Sequence, residues 1–438
     1  MDYKEFFKGK KITLMGLGLL GRGVGDALFL SSCGAEILVT DTKSETELAD
    51  SVEKLKGVSN IKFKLGGHDL EDFKHCDMVL KAAGVPLDSI YIAEARKNNI
   101  PVYMGAALFT KLAEGVVTIG ITGTRGKSTT THLIHHILKT AGKSVYLGGN
   151  VRDIATLPLL QEVKSGDYAV LELDSWQLQG FGDAGVSPHV AVFTTFMDDH
   201  MNYYKGDREQ YFKDKSSIYR SQKDNDTLVA GEDVVSVIAS KDQYKGNLVI
   251  ARRDDVSKEW DIKIPGDHNR LNISCAIKAC EALGISSEDI KKGVESFVGV
   301  EGRLQFLKEV GGVKIYNDNN ATTPDATVAG IKALTGMPTI LVAGGADKDL
   351  PLDSLVAEIN KSVRLLVLLP GTGSERLKTS GVTIEMLEVK DLEEAVSVAK
   401  IQAKAGDTIL FSPGFASFGL FKNEYDRNDQ FLKLTENI

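Results

Sequence analysis

"GITGTRGKSTTTHLI", Gly120–Ile134, is the stretch on which the reading of this chain turns. It follows an apolar run, Val116–Ile121, and leads into Leu133, Ile134, Ile137 and Leu138, which share one helical face. Strand, glycine loop and helix in that order make a phosphate-binding loop. Gly123 and Gly126 let backbone N–H groups approach phosphate oxygens. Lys127 supplies a mobile positive charge at the β/γ-phosphates, and the Ser128 hydroxyl can ligate Mg2+. The first glycine, Gly120, sits one place earlier than the strict loop spacing requires. Arg125 adds a charge that the loop does not explain.

Downstream, "YAVLEL" (Tyr168–Leu173) and "VAVFTT" (Val190–Thr195) read as further strands. Glu172 lies among apolar residues, where a carboxylate is costly unless it has a partner. "TTFMDDHMNYY" places Asp198, Asp199 and His200 just after a strand, the end at which parallel sheets collect ligands. Mg2+ wants oxygen donors, so Glu172 and this cluster are candidates; a strand-edge Glu and a capped turn are the plainer readings. His132, His135 and His136 read as helix-face residues. "GDHNRLNISCAIKACEALGI" predicts a long helix ended by Gly284. The short β-like runs between Thr227 and Pro265 predict a small antiparallel addition.

Upstream, "KKITLMGLGLLGRGVGDALFL" reads as strand, glycine turn and helix, with "AEILVTDT", "DMVLKAAG" and "IPVYMG" as later strands. Gly16-Leu17-Gly18-Leu19-Leu20-Gly21 fits GxGxxG, and Asp41 closes the next strand, as in a dinucleotide fingerprint. Three readings stay open: a tight strand–helix turn, an NAD site, or a site for another diphosphate ligand such as a nucleotide sugar. Nothing downstream looks like hydride-transfer chemistry. From near Arg303, "VKIYND", "TILVAGG", "RLLVLLP" and "DTILFSPG" are strands of a third α/β block. Lys348, after "TILVAGG", is a cation placed to pair with a carboxylate or to sit solvated on the surface. The expectation is an α/β chain of three domains: Rossmann-like (1–112), a central P-loop ATPase-like parallel sheet (113–301), and a second Rossmann-like unit (302–438).

The length of 438 residues suits several domains, each large enough for its own core. A net charge of −8 weighs against a general nucleic-acid binder. Cys33, Cys76, Cys275 and Cys280 form no CxxC pair, which disfavours a zinc knuckle or redox motif and favours free thiols. No signal peptide and no run of about 18 apolar residues is evident, so the expected setting is the cytoplasm, without a membrane span.

"GITGTRGKST", "LELDSWQL", "TTFMDDHMNYY", "GDHNRLN", "YNDNNATTPDAT" and "FSPGFASFGLFKNEYDRNDQF" occur in this order along the whole chain. Together they resemble the Mur ligases, whose loop reads GxxGTxGK[ST] and so accounts for Gly120. The resemblance implies an ATP-dependent carboxylate–amine ligase of peptidoglycan precursor synthesis. It would add D-glutamate to UDP-N-acetylmuramoyl-L-alanine through an acyl phosphate. The likeness implies that ATP is held by Gly123, Thr124, Gly126, Lys127, Ser128, Thr129, His268, Asn269, Arg303 and Asp318. It implies catalytic roles for Lys127, Glu172, His200 and Lys215, and two Mg2+ sites drawing on Ser128, Glu172, His200 and Lys215. On sequence alone Lys215 is an ordinary exposed lysine; the family carries a carbamylated lysine there. Leu19, Leu20, Asp41, Thr42, Lys43, Gly84 and Asn150 would hold the UDP-sugar-peptide, and Thr322, Lys348 and Ser417 the amino acid. The likeness also implies a monomer.

Five positions depart from the family pattern. Asp174 replaces a small hydroxyl residue beside Glu172, Asn320 replaces a lysine, and Glu424 replaces an aromatic residue. Leu20 stands where threonine is common and Arg125 where asparagine is usual. A ligase of this type with another acceptor, a folylpolyglutamate-type ligase, a non-catalytic nucleotide-binding homologue and a nicotinamide oxidoreductase are therefore alternatives.

Overall fold

The structure, a computed structural model, describes residues 2–436 except 20, 87, 153, 202, 242, 243 and 245. Three largely parallel sheets follow one another along the chain, with helices between the strands. The chain divides into two compact units, residues 1–257 with 271–293, and residues 258–270 with 294–438.

The first sheet comprises β1 (Lys11–Met15), β2 (Glu36–Asp41), β3 (Ile61–Leu65), β4 (Met78–Lys81) and β5 (Val102–Tyr103), in the order β3-β2-β1-β4-β5 and all parallel. The order reverses at β1, and in open α/β sheets a ligand crevice forms outside the strand ends at such a point. GxGxxG occupies that place, between β1 and the helix Arg22–Ser32. Gly16 has φ 96°, and a Cβ there would stand 2.8 Å from Ala82 Cβ, so both the turn and the neighbouring strand demand glycine.

The central sheet comprises β6 (Val117–Thr122), β7 (Val145–Gly149), β8 (Tyr168–Glu172), β9 (Val190–Phe193), β10 (Thr227–Gly231) and β11 (Asn247–Ala251), in the order β11-β10-β9-β6-β8-β7. The antiparallel addition anticipated for Thr227–Pro265 is corrected here. β10 pairs parallel with β9, and β11 parallel with β10, because the helix Glu232–Lys241 carries the chain back to the same sheet end. The helix Asp267–Ala282 forms as anticipated, and Gly284 follows at φ 73°. Its Cys275 and Cys280 are buried free thiols.

The third sheet comprises β12 (Gln305–Val310), β13 (Val313–Asn317), β14 (Thr339–Ala343), β15 (Val363–Leu368), β16 (Met386–Glu388) and β17 (Thr408–Phe411), in the order β12-β13-β17-β14-β15-β16. All pairs are parallel except the β12–β13 hairpin. Its central strands are buried along their whole length, as a sheet covered on both faces requires. Among the described residues no helix is long and apolar enough to cross a membrane.

Candidate functional site

In the first unit the candidate residues gather at the C-terminal ends of the central strands. Gly123 has φ 149°, and a Cβ there would lie 2.0 Å from Thr194 Oγ1; Gly126 has φ 87°, and a Cβ would lie 2.1 Å from Asn272 Oδ1. These two glycines are required where they stand. Gly120 is different: it lies inside β6 against Pro188 and Leu173, so it serves strand packing rather than the loop. Gly126 caps the helix Lys127–Thr140, whose N-terminal N–H groups face the loop. Ser128 and Thr129 stand in the first turn of that helix, and Thr124 lies in the loop before it, its Oγ1 donating to the Met197 carbonyl at 3.1 Å. Lys127 Nζ donates to the carbonyls of Gly123 (2.9 Å) and Thr124 (3.2 Å), curled over the turn it follows.

The end of β9 clamps this loop. Thr194 Oγ1 donates to the Arg125 carbonyl at 2.6 Å, the Arg125 N–H donates to Thr195 Oγ1 at 3.0 Å, and the Thr124 N–H donates to the Thr195 carbonyl at 2.8 Å. Arg125, unexplained by the loop motif, projects to solvent and meets Asp199 at 3.5 Å. An exposed pair of this kind contributes at most about 1 kcal/mol.

Glu172 ends β8 in register with Ile121 of β6 on one side and Gly149 of β7 on the other. It is buried, and its carbonyl accepts from the Asn150 N–H at 2.7 Å, which ties Asn150 to the same edge. Lys215 departs from its plain sequence reading: it is 2% exposed. Its Nζ donates to the Gly123 carbonyl at 2.9 Å and to Thr122 Oγ1 at 3.4 Å, and sits 5.0 Å from the Tyr211 ring centre. Burial, and then the charge of Lys127, hold its ammonium well below the usual lysine range. His200 stands at φ 55° with its ring 5.1 Å from that of Trp176, and its backbone N–H donates to Asp199 Oδ1.

Mg2+ binds through one or two carboxylates with substrate phosphates and water completing the shell. The Glu172 carboxylate and the Ser128 hydroxyl supply hard oxygen donors of that kind, and the donor set fits. Among the described residues no group of three or more His, Cys, Asp or Glu is arranged to hold a metal ion.

Around GxGxxG, Asp41 is buried and turned inward. Its Oδ2 accepts from the Leu17 and Gly18 N–H groups at 2.9 and 3.2 Å, and its Oδ1 from the Lys43 N–H at 2.9 Å. The carboxylate that a dinucleotide fold reserves for a ribose is engaged in holding the loop. Leu19, Thr42 and Gly84 are exposed, Lys43 is half-buried, and Leu20 lies outside the described residues. Leu19 and Gly84 line one 260 Å³ cavity with Gly16, Gly18 and Thr156.

The second unit holds its own set. Asp318 is buried at the end of β13, its Oδ1 accepting from the Leu304 N–H at 3.0 Å and its Oδ2 from Ser412 Oγ at 2.8 Å. Burial pushes its carboxyl up to about 7. Arg303 and His268 are exposed, and Asn269 Nδ2 donates to the Pro265 carbonyl at 2.7 Å. Lys348 Nζ donates to Thr322 Oγ1 at 3.1 Å. A bridge between Ala346 and Ala416 joins the loops after β14 and β17, which brings Ser417 and Lys348 to one edge. Behind them Arg427 is fully buried, donating to Asn319 Oδ1, the Asn319 carbonyl and the Phe415 carbonyl. Burial and then the Arg427 charge hold Lys348 below its ordinary range.

The departures from the family pattern have local roles. Asp174 is the N-cap of the helix Ser175–Ala184, in a capping box with Gln177. Asn320 bonds Glu301, and Glu424 opens the last helix while its carbonyl accepts from Asn319 Nδ2. Asn272, Thr194, Thr195 and Arg427 escape motif reading. All four lie within quoted motifs, but only their contacts single them out.

Family profiles match three stretches: "Mur ligase MurD-like, N-terminal domain" over residues 10–104, "Mur ligase middle domain" over 121–252, and "Mur ligase, glutamate ligase domain" over 302–415. A UDP-N-acetylmuramoylalanine–D-glutamate ligase of Roseiflexus sp. (strain RS-1) is 34% identical, the alignment covering 98% of this chain and 99% of the relative. One from Acetivibrio thermocellus is 33% identical over 100% and 98%. Among solved structures, the MurF ligase of Thermotoga maritima in complex with ADP superposes with a TM-score of 0.59 at 18% identity, over 99% of this chain and 96% of that one. The MurC ligase of the same organism gives 0.58 at 19% identity, over 98% and 99%. Those likenesses establish the shared architecture, and the full-length relatives settle the kinship: this chain belongs to the Mur ligase family.

Proposed function

We propose that this chain is an ATP-dependent ligase that joins D-glutamate to the carboxylate of UDP-N-acetylmuramoyl-L-alanine, as the names of its full-length relatives state for them. The observation that carries the reading is the buried Lys215 Nζ donating to the Gly123 carbonyl of the phosphate loop, with Glu172 ending the adjoining strand. A plain NTP-binding turn needs no second lysine beneath it. The Gly123–Thr129 loop with Lys127 holds the phosphates, and Ser128 and Glu172 hold Mg2+, which neutralises phosphate charge. His200 and Lys215 serve a second Mg2+; Lys215 does so as its carbamate, an anion made from the neutral amine that burial favours.

In this reading the substrate carboxylate attacks the γ-phosphorus, ADP leaves, and an acyl phosphate forms. The amine of D-glutamate then attacks the acyl carbon, loses a proton, and phosphate departs with its C–O bonding pair. The protein acts by positioning and by charge rather than through a covalent nucleophile. Leu19, Leu20, Asp41, Thr42, Lys43, Gly84 and Asn150 hold the nucleotide sugar, Asp41 by shaping the loop. In the second unit, His268, Asn269, Arg303 and Asp318 are the nucleotide candidates. Thr322, Lys348 and Ser417 are the amino-acid candidates, Lys348 facing a substrate carboxylate. We further infer domain boundaries near residues 112 and 301, and a monomer working in the cytoplasm, where ATP and UDP-sugars are available.

The test is phosphate release from ATP by the purified chain. Release that requires both UDP-N-acetylmuramoyl-L-alanine and D-glutamate, across a panel of amino acids, supports the assignment. Release with another amino acid and none with D-glutamate overturns it.

A further inference from the structure

The helix after GxGxxG carries a pair of side chains that the family motif does not explain. Arg22 donates through Nη1 to Asn150 Oδ1 at 2.9 Å and through Nη2 to the Val151 carbonyl at 3.1 Å. Its Nε–H is buried without a partner among the described residues. One turn further on, Asp26 Oδ1 is likewise buried without a partner among the described residues. Residues four apart on a helix are neighbours on its surface. Both line the 260 Å³ cavity that holds Gly16, Gly18, Leu19 and Gly84. Native proteins leave few buried polar atoms unmatched, and those few call for a reason.

The two unmatched atoms are complementary, one a donor and the other an acceptor. A phosphate, which only accepts, would satisfy Arg22 and face the Asp26 oxygen without a proton to share. A hydroxyl, or a secondary amide with its N–H and C=O, satisfies both. The Nη1 bond also orients Asn150: with Oδ1 accepting from Arg22, the amide NH2 is the edge left for a ligand. Burial raises the Asp26 carboxyl to about 7 against the lowering effect of Arg22, so near neutral pH it exchanges between anion and acid, and a group that both donates and accepts matches either form, whereas a phosphate matches only the acid.

We propose that Arg22 and Asp26 form a sugar-reading subsite. It takes a donor–acceptor group, a hydroxyl or the acetamido amide, on the sugar of the nucleotide-sugar substrate, while Arg22 orients Asn150. This inference rests on the nucleotide-sugar reading of the cavity given above. It makes the helix face beyond the glycine loop a determinant of which sugar is accepted, separate from recognition of the nucleotide.

Isothermal titration of the full chain with UDP-N-acetylmuramoyl-L-alanine and with UDP alone decides it. Asp26→Leu should weaken binding of the nucleotide sugar about 10–100-fold, the loss expected when a buried hydrogen-bonding group is left without its complement. Binding of UDP should not change. Asp26→Asn, which keeps an acceptor oxygen, should lose less. Arg22→Lys, which keeps the charge but lacks the Nε–H and the fork, should raise KM for the nucleotide sugar while kcat and KM for ATP hold. Equal losses for UDP and for the nucleotide sugar would overturn the proposal, since the pair would then serve the nucleotide. Unchanged binding in all variants would overturn it too, leaving ordered water as the only partner. If Asp26→Leu does not fold, Asp26→Asn and Arg22→Lys decide by the same ratios. Failure of the unsubstituted chain to bind the nucleotide sugar would refute the parent reading instead, and that outcome is distinct from any ratio between variants.

Discussion

Replacing Asp318 by asparagine should stabilise the second unit, and the gain should grow with pH. The carboxyl is buried at the end of β13 and accepts two bonds, from the Leu304 N–H and the Ser412 hydroxyl. Those bonds and the charge of Arg303 favour the anion, but desolvation outweighs them and sets the folded value at about 7, against 3.8 for an ordinary aspartate. Between those values the folded protein keeps a proton that the unfolded chain has released. Stability therefore falls as pH rises through that window and levels off above about 7. At about 1.4 kcal/mol per unit, the penalty is about 1.7 kcal/mol at pH 5 and about 4 kcal/mol at pH 8. Asparagine is nearly isosteric and carries no such penalty; it keeps one acceptor oxygen for the Leu304 N–H, and its NH2 can donate to Ser412 Oγ. Any cost of the rearranged bonds is about 1 kcal/mol and independent of pH.

The difference between the two proteins should thus widen by about 2.5 kcal/mol from pH 5 to pH 8. For a unit of this size that is about 5–10 °C in Tm. Scanning calorimetry of the full chain at both pH values reads it from the transition containing the second unit. Asp26, whose carboxyl is also raised to about 7, titrates alike in both proteins and cancels. Parallel stability–pH curves would refute the reasoning, because the cost would then not lie in the Asp318 charge. Since Asp318 is a candidate ATP residue, the more stable variant should also show a raised KM for ATP.

Lys127→Ala should lower kcat for ATP turnover by at least about 10²-fold, since it removes the cation folded over the phosphate loop; turnover above that level in the purified variant would place the chemistry elsewhere. Asp174→Ser should shift Tm by little, because serine caps a helix as well as aspartate does, whereas Asp174→Ala should cost about 1 kcal/mol by thermal denaturation. If Asp174→Ser instead changes KM for ATP severalfold, the residue acts on the phosphates and not only as a cap. Labelled 13CO2 should give a carbamate resonance at neutral pH that Lys215→Met abolishes, as the depressed Lys215 amine is the form that reacts; an unchanged signal in the variant would remove Lys215 from that role.

What the sequence revealed and what it concealed divide along physical lines. Strands with continuous apolar runs, such as β6, β8, β9, β14 and β17, were legible because burial on both faces leaves no other composition. The strands that motif and hydropathy reading passed over are sheet edges. β3 is "IKFKL", with only Ile61 buried, β7 ends in two glycines, β12 carries two charges and no fully buried residue in "QFLKEV", and β16 is three residues long. An edge strand is stabilised by its one neighbour, information that no local window contains. β10 and β11 show the same limit in another form: their runs were visible, but pairing direction depends on the helix Glu232–Lys241 between them.

The candidate site divides similarly. Gly123, Gly126 and Lys127 announce themselves because a phosphate loop needs those residue types at fixed spacing, whatever surrounds it. Lys215 does not. In the sequence it is one lysine in a polar helix, "REQYFKDKSSIYR", and its chemistry arises from a position beneath the loop, 92 residues distant in the chain. Arg22 and Asp26 stand between these cases. Their four-residue spacing is local, but what matters is that one donor and one acceptor lining the same cavity are unmatched among the described residues. A motif reports groups whose partners are phosphates or backbone; a group whose partner is a particular sugar shows itself only as a debt in the hydrogen bonding of the folded chain. The residues that set specificity in such a ligase are therefore the ones a family pattern is least able to display.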